Sequence, residues 1–90
     1  MNELTDLEFR MIDELYFVTS FNDLREAVNE ESNIVHHGLK NLLEKQLITQ
    51  LIFDEGLKDY QKLDVPDFSA FDHSYFVASK KGLLTHNSLS

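Results

Sequence analysis

Residues 21–48 read FNDLREAVNEESNIVHHGLKNLLEKQLI and predict two short helices joined by a tight turn. The apolar side chains of the first helix fall at helical spacing: Phe21, Leu24, Ala27 and Val28. Ser20 or Asn22 is a suitable N-cap for this helix. Asn29 tolerates the left-handed conformation that commonly ends a helix, so we expect the helix to stop there and a polar turn to follow.

The second of the two helices is predicted over residues 33–45, with Ser32 or Asn33 as its N-cap. Its inward positions are apolar: Val35, Leu39, Leu42 and Leu43. Gly38 lies inside this helix and costs about 1 kcal/mol of helix propensity relative to alanine. A glycine at this position either permits the close approach of another helix or a ligand, or is merely tolerated.

A longer helix is predicted upstream, from Asp6 to about Thr19. One face of it is apolar: Leu4, Leu7, Met11, Ile12, Leu15 and Val18. Thr5 and Glu8 have the spacing of a capping box at its start. Phe9, Tyr16 and Phe17 widen the apolar surface, which predicts neighbours on more than one side of this helix.

Downstream of the helix pair the pattern changes to that of strands. Residues 48–53 and 74–78 are rich in β-branched and aromatic side chains and predict two paired strands. The acidic stretch between them contains the only proline, Pro66, and predicts an extended loop in which Tyr60 to Leu63 form extra strand. A short basic helix or turn is predicted around Lys80 to Leu83.

Residues 21–48 and 75–83 resemble the winged helix-turn-helix domain of MarR-like bacterial transcriptional regulators. In the third helix the residues that match the family pattern are Val35, His36, His37, Leu39, Lys40, Leu42, Glu44, Lys45, Leu47 and Ile48. Gln46 departs from the pattern, because it stands where the family usually has glycine. The tail from Tyr75 to Gly82 is similar to the last wing strand and the T-x-x-G that opens the next helix. The resemblance implies an α+β fold, a winged helix-turn-helix with three helices, a two- or three-stranded β-wing and a short C-terminal helix.

The resemblance also implies a DNA-binding transcriptional regulator whose third helix, residues 33–45, is the recognition helix in the major groove. Members of this family usually bind double-stranded DNA as dimers, so a homodimer is expected here as well. Helical spacing places the following residues on one outward stripe: Ser32, Asn33, His36, His37, Lys40 and Asn41. Lys80 and Lys81 are expected to add phosphate contacts.

The charge distribution supports an alternative, an acidic winged-helix module that binds another protein and no DNA. The net charge is −8, and residues 1–31 hold nine acids against two bases. The stretch 51–73 holds six acids against two lysines, whereas a wing that enters the minor groove normally carries a basic tip. The stretch also holds Tyr60, Phe68, Phe71 and Tyr75, which either cover the core or bind a protein partner. Acids around the outward stripe favour the protein-binding alternative, because they repel phosphate.

The remaining features exclude several classes of protein. The 90 residues are enough for a single domain, 1–90, and include no cysteine, so thiolate metal sites and disulfides are excluded. The four histidines lack metal-ligand spacing, the chain carries no catalytic motif, and we expect neither an enzyme nor a cofactor. The acidic start and the absence of a long apolar run predict a cytoplasmic protein without a membrane partner.

Overall fold

The computed structural model describes residues 4–89 and shows an α+β domain. The helices are α1 (Asp6–Asp13), α2 (Phe21–Val28), α3 (Ser32–Glu44) and α4 (Lys80–Leu89), with a single 3-10 helix at Phe68–His73. The strands are β1 (Thr19–Ser20), β2 (Ile48–Asp54), β3 (Asp59–Lys62) and β4 (Tyr75–Ala78).

Helix α1 begins as predicted and ends earlier than predicted. The backbone N–H of Glu8 donates to Thr5 Oγ1 (3.1 Å), and Glu8 Oε1 accepts from the Thr5 N–H (2.9 Å), which confirms the capping box. The helix stops at Asp13, and the following backbone bonds to the end of β4, because Leu15 O accepts from the Ala78 N–H at 2.7 Å. The prediction that the helix reaches Thr19 was therefore wrong, and Val18, predicted to face inward, is 40% exposed.

Helices α2 and α3 lie where they were predicted. Ser20 Oγ accepts from the Asp23 N–H (3.1 Å), and Asn29 ends α2 with a φ of 55°, so both predictions are confirmed. The N-cap of α3 is Glu31, which makes no side-chain capping bond, so neither Ser32 nor Asn33 is the cap. Ala27, predicted to be buried, is exposed because α2 turns only a narrow face toward the core.

Gly38 allows α1 and α3 to pack closely. A Cβ added at Gly38 would lie 2.6 Å from Met11 Sδ and 3.3 Å from Leu7 Cδ2. Of the two interpretations of this glycine, the close approach of another helix is therefore the one that the structure supports.

The two predicted strands pair with each other in a sheet that is larger than predicted. Strand β2 pairs antiparallel with β4, and β1 and β3 extend the sheet to four antiparallel strands in the order β1-β4-β2-β3. The sheet therefore has four strands, where two or three were predicted. The missed strand, β1, has only two residues, which is too short to produce a sequence pattern.

The acidic stretch after β3 is held against the sheet by a buried glutamine. Gln50 is 1% exposed and donates from Nε2 to Asp67 O (3.0 Å) and to Ser74 Oγ (2.8 Å). Its Oε1 accepts from the Asp67 N–H at 2.9 Å, so all its polar atoms are bonded. The stretch therefore folds back into the 3-10 helix, and the prediction of an extended loop up to His73 was wrong for this part.

The core lies between the helices and one face of the sheet. Eight buried apolar residues form its centre: Met11, Leu15, Leu24, Val28, Val35, Leu39, Leu42 and Leu47. Phe71 and Phe76 complete the core from the 3-10 helix and β4, with ring centroids 5.5 Å apart. Helix α4 runs to Leu89 and is longer than the short helix that was predicted.

Candidate functional site

The outward stripe of α3 is only partly open to solvent. Ser32, Asn33, His37 and Lys40 are exposed, whereas His36 and Asn41 are half-buried. The structure therefore keeps the six predicted residues on the helix, but it leaves only four of them fully accessible to a partner.

His36 is turned toward the 3-10 helix. Its Nε2 lies 2.6 Å from Asp72 Oδ1, so an imidazole N–H is available to donate to that carboxylate. The ring also packs edge-on against Phe21, with centroids 4.9 Å apart, and lies 5.4 Å from the ring of Phe71. One of the two histidines in the stripe is thus bound to an acid of the acidic stretch.

Lys40 also contacts the 3-10 helix. It is the only lysine or arginine of the stripe. Its Nζ lies 5.7 Å from the ring centroid of Phe68, which is within the range of a cation–π contact worth about 0.5–1 kcal/mol at an exposed site. The 3-10 helix therefore lies alongside α3 and contacts two of its six stripe residues.

Acidic side chains surround the end of α3 that a recognition helix would insert into the major groove. Glu31 is exposed at the N-cap, and Glu30 lies next to it in an ion pair with Arg10 (3.0 Å). Glu26 is also exposed, in the last turn of α2 before the connection to α3. This end of α3 consequently carries carboxylates where a DNA-binding domain would carry phosphate-binding groups.

The two lysines that were expected to contact phosphate lie at the other end of α3. Lys80 and Lys81 are exposed at the start of α4, and Lys81 Nζ donates to Lys45 O at 3.1 Å, just after the last turn of α3. Lys45 itself binds the buried carboxylate of Glu8, with Nζ 2.8 Å and 3.0 Å from its two oxygens. The structure therefore separates these lysines from the N-terminal part of the stripe.

A second accessible surface lies on the outer face of the sheet, at the β2–β3 hairpin. The rings of Phe53 and Tyr60 have centroids 5.3 Å apart, and those of Tyr60 and Tyr75 are 4.9 Å apart. Phe53 and Tyr60 are each 38% exposed. This aromatic ladder (Phe53, Tyr60 and Tyr75) projects from strands, away from the buried core.

The four aromatic residues predicted either to cover the core or to bind a partner differ in exposure, and Tyr75 is half-buried. Phe71 is buried, while Tyr60 and Phe68 remain 38% and 43% exposed. Sequence reasoning missed Asp72 and the edge position of β3 altogether. A signal for the 3-10 helix was present in Asp67, whose carboxylate accepts from the Ser69 N–H at 3.1 Å as an N-cap does.

A cleft of about 360 Å³ between the end of α3 and β2 is lined by a mixed set that includes Leu43, Ile48, Lys62 and Pro66. No group of three histidine, aspartate or glutamate side chains within residues 4–89 could hold a metal ion. No helix in this range is long and apolar enough to cross a membrane.

Comparison with known proteins finds no relative of the chain. No family model matches it, and no curated protein or solved structure does either.

Proposed function

We propose that this chain is a winged-helix module that binds another protein and not nucleic acid. Support for the winged helix comes from the order of the elements: α1, the pair α2–α3 joined by residues 29–31, the antiparallel pair β2–β4, and then α4. Gln46 supports it further, because its φ of 62° is the conformation that favours the glycine the MarR-like pattern has at this position.

The observation that carries the choice of partner is the contact between His36 and Asp72. It places a carboxylate of the acidic stretch 2.6 Å from the middle of the outward stripe, whose opposite ends are flanked by exposed Glu31 and Glu44. In water, two like charges about 10 Å apart repel by about 0.4 kcal/mol. Each of these carboxylates lowers the attraction of the outward stripe for a phosphate backbone.

Duplex DNA is the second candidate partner, and one observation favours it. Asn33, His37 and Lys40 are all exposed and recur at helical spacing on the solvent side of α3. Asparagine can pair with adenine in the major groove, and lysine can bind phosphate or guanine.

Fluorescence anisotropy with a labelled duplex of random sequence separates the two candidates. At about 20 mM salt, where phosphate contacts are strongest, we expect no binding by the parent protein. A variant with Glu31→Ser, Glu44→Lys and Asp72→Asn gains positive charge around the stripe. These substitutions suit the fold, because serine caps helices well and lysine is favourable at a helix C-terminus.

We expect the variant to bind the duplex and to lose that binding at about 200 mM salt. A second variant with Asp54→Asn, Glu55→Lys and Asp59→Asn, in the β2–β3 hairpin, changes the net charge by the same amount and is the control for a general change in net charge. Binding of the duplex by the parent protein would overturn the proposal. Equal gains in affinity for the duplex by the two variants would show that the acids around α3 are not what prevents the parent protein from binding DNA.

A further inference from the structure

Strand β3 is an edge strand whose outer side is free to pair. It lies at the end of the sheet, and within residues 4–89 no other strand pairs with it besides β2. The Leu63 N–H donates to Gln50 O at 3.0 Å, so Leu63 points its backbone groups toward β2. Because backbone groups alternate along a strand, those of Tyr60 and Lys62 point away from β2.

One hydrogen bond confirms this orientation. The Tyr60 N–H donates to the carboxylate of the preceding residue, Asp59, at 2.8 Å, and not to β2. The bond covers one donor of the free edge and leaves the carbonyl of Tyr60 and the N–H and carbonyl of Lys62 facing outward. Natural edge strands are usually protected against pairing. In β3 only the N–H of Tyr60 is protected in this way.

The side chains at this edge differ between the two faces of the sheet. Phe53 and Tyr60 are directly opposite each other and form the outer aromatic ladder with Tyr75. Asp54 and Asp59 are also directly opposite each other, on the other face. Asp54 accepts from the Leu57 N–H (3.1 Å) and Asp59 from the Tyr60 N–H, and the charge of both carboxylates favours a cation beside them.

The negative charge around the β2–β3 hairpin favours a basic partner. Residues 51–73 contain six acids and two lysines, and one of these lysines, Lys58, lies 3.9 Å from Glu55 in an exposed pair that adds little stability. A second copy of the chain would bring another charge of −8 to this edge. A basic partner is attracted by the same field.

Resting on the proposed function, we infer that the free edge of β3 binds an extended basic segment of a partner protein as an added strand. Main-chain hydrogen bonds to the carbonyl of Tyr60 and to the N–H and carbonyl of Lys62 supply affinity, as in other cases of strand addition. Alternate side chains of the segment are apolar, packing on Tyr60, and basic, facing Asp59. The aromatic ladder thus contacts one face of the added strand, and Asp54 and Asp59 contact the other.

The test uses a labelled short peptide in which lysine and valine alternate, titrated with the full chain at about 20 mM salt. Lys62→Pro removes an N–H that points to the free edge, a position where an edge strand tolerates proline. Lys62→Ala removes the same charge and keeps the N–H. We expect Lys62→Ala to bind the peptide at least as tightly as the parent, and Lys62→Pro to bind it about tenfold more weakly.

Modified peptides test the same bonds without changing the protein. Methylation of the peptide's alternate backbone nitrogens on one edge is expected to abolish binding, and methylation on the other edge to leave it intact. A peptide of the same composition with its lysines contiguous is expected to bind more weakly, because it cannot present one apolar face. This arm remains decisive if Lys62→Pro fails to fold.

The inference is overturned if the parent does not bind the alternating peptide. It is also overturned if binding is indifferent to the methylation pattern, because simple charge attraction would then explain it. Neither outcome touches the proposed function, which instead fails if the parent binds random duplex DNA in the parallel titration.

Discussion

Replacing Gly82 with alanine tests how α4 is attached to the rest of the fold. A Cβ at this position would lie 1.9 Å from Leu47 O and 2.9 Å from Leu47 C. Both atoms belong to the backbone and cannot rotate away. Leu47 O also accepts from the Ser79 N–H at 3.0 Å, so any shift that makes room weakens this bond as well.

The expected cost follows from three contributions. Overpacking costs about 3 kcal/mol at the upper end of its usual range, and loss of the Ser79 bond adds about 1 kcal/mol. The better helix propensity of alanine recovers about 1 kcal/mol. We therefore expect Gly82→Ala to lower the free energy of unfolding by about 3 kcal/mol, which corresponds to a fall in Tm of roughly 12–24 °C.

Thermal unfolding followed by circular dichroism measures this change, and Gly56→Ala is the matched control. A Cβ at Gly56 would meet only Asp54 Oδ1, at 3.2 Å, and the backbone there does not have a positive φ. The control loses one glycine in the same way and is expected to stay within about 0.5 kcal/mol of the parent. Equal Tm values for the two variants would refute the close contact between α4 and the α3–β2 connection.

Three further substitutions have expected outcomes that urea unfolding can check. Leu39→Ala, in the middle of the core, is expected to cost about 2–5 kcal/mol, and an unchanged midpoint would contradict its buried position. Lys45→Met leaves the buried carboxylate of Glu8 without its cation and is expected to cost about 2 kcal/mol; adding Glu8→Gln should recover part of this loss, and a strictly additive double variant would argue against the pair. Gln46→Gly relieves a left-handed φ and is expected to stabilise the fold by about 0.5–1 kcal/mol, whereas a loss of stability would contradict that backbone conformation.

The elements that depend on local chemistry could be predicted from the sequence. Thr5 and Glu8 mark the start of α1, Ser20 and Asn29 bound α2, and the spacing of Val35, Leu39 and Leu42 defines the inner face of α3. In each case the signal and the structural consequence lie within a few residues of each other.

The elements that depend on distant partners could not be predicted. Helix α1 ends at Asp13, and the Leu15 carbonyl just after it accepts a hydrogen bond from the Ala78 N–H. No residue near Asp13 has a pattern that predicts this end. The 3-10 helix depends on Gln50, a polar residue in a strand whose role appears only when its amide reaches Asp67 and Ser74.

The candidate site also combines features set by nearby residues with features set by residues far apart in the chain. The stripe on α3 was predictable because it follows from one helical period. The contact of Asp72 with His36 joins residues far apart in the chain, and it changes the electrostatic character of that stripe. Neither this contact nor the free edge of β3 produces a pattern in the sequence.

Backbone amide shifts recorded by NMR during two titrations, one with random duplex DNA and one with the alternating lysine–valine peptide, test the central claim most directly. We expect the peptide to shift the amides of Tyr60, Gln61 and Lys62 and the DNA to leave those of α3 unmoved at about 20 mM salt. Shifts at Asn33, His37 and Lys40 on addition of DNA would contradict the claim and make α3 a recognition helix.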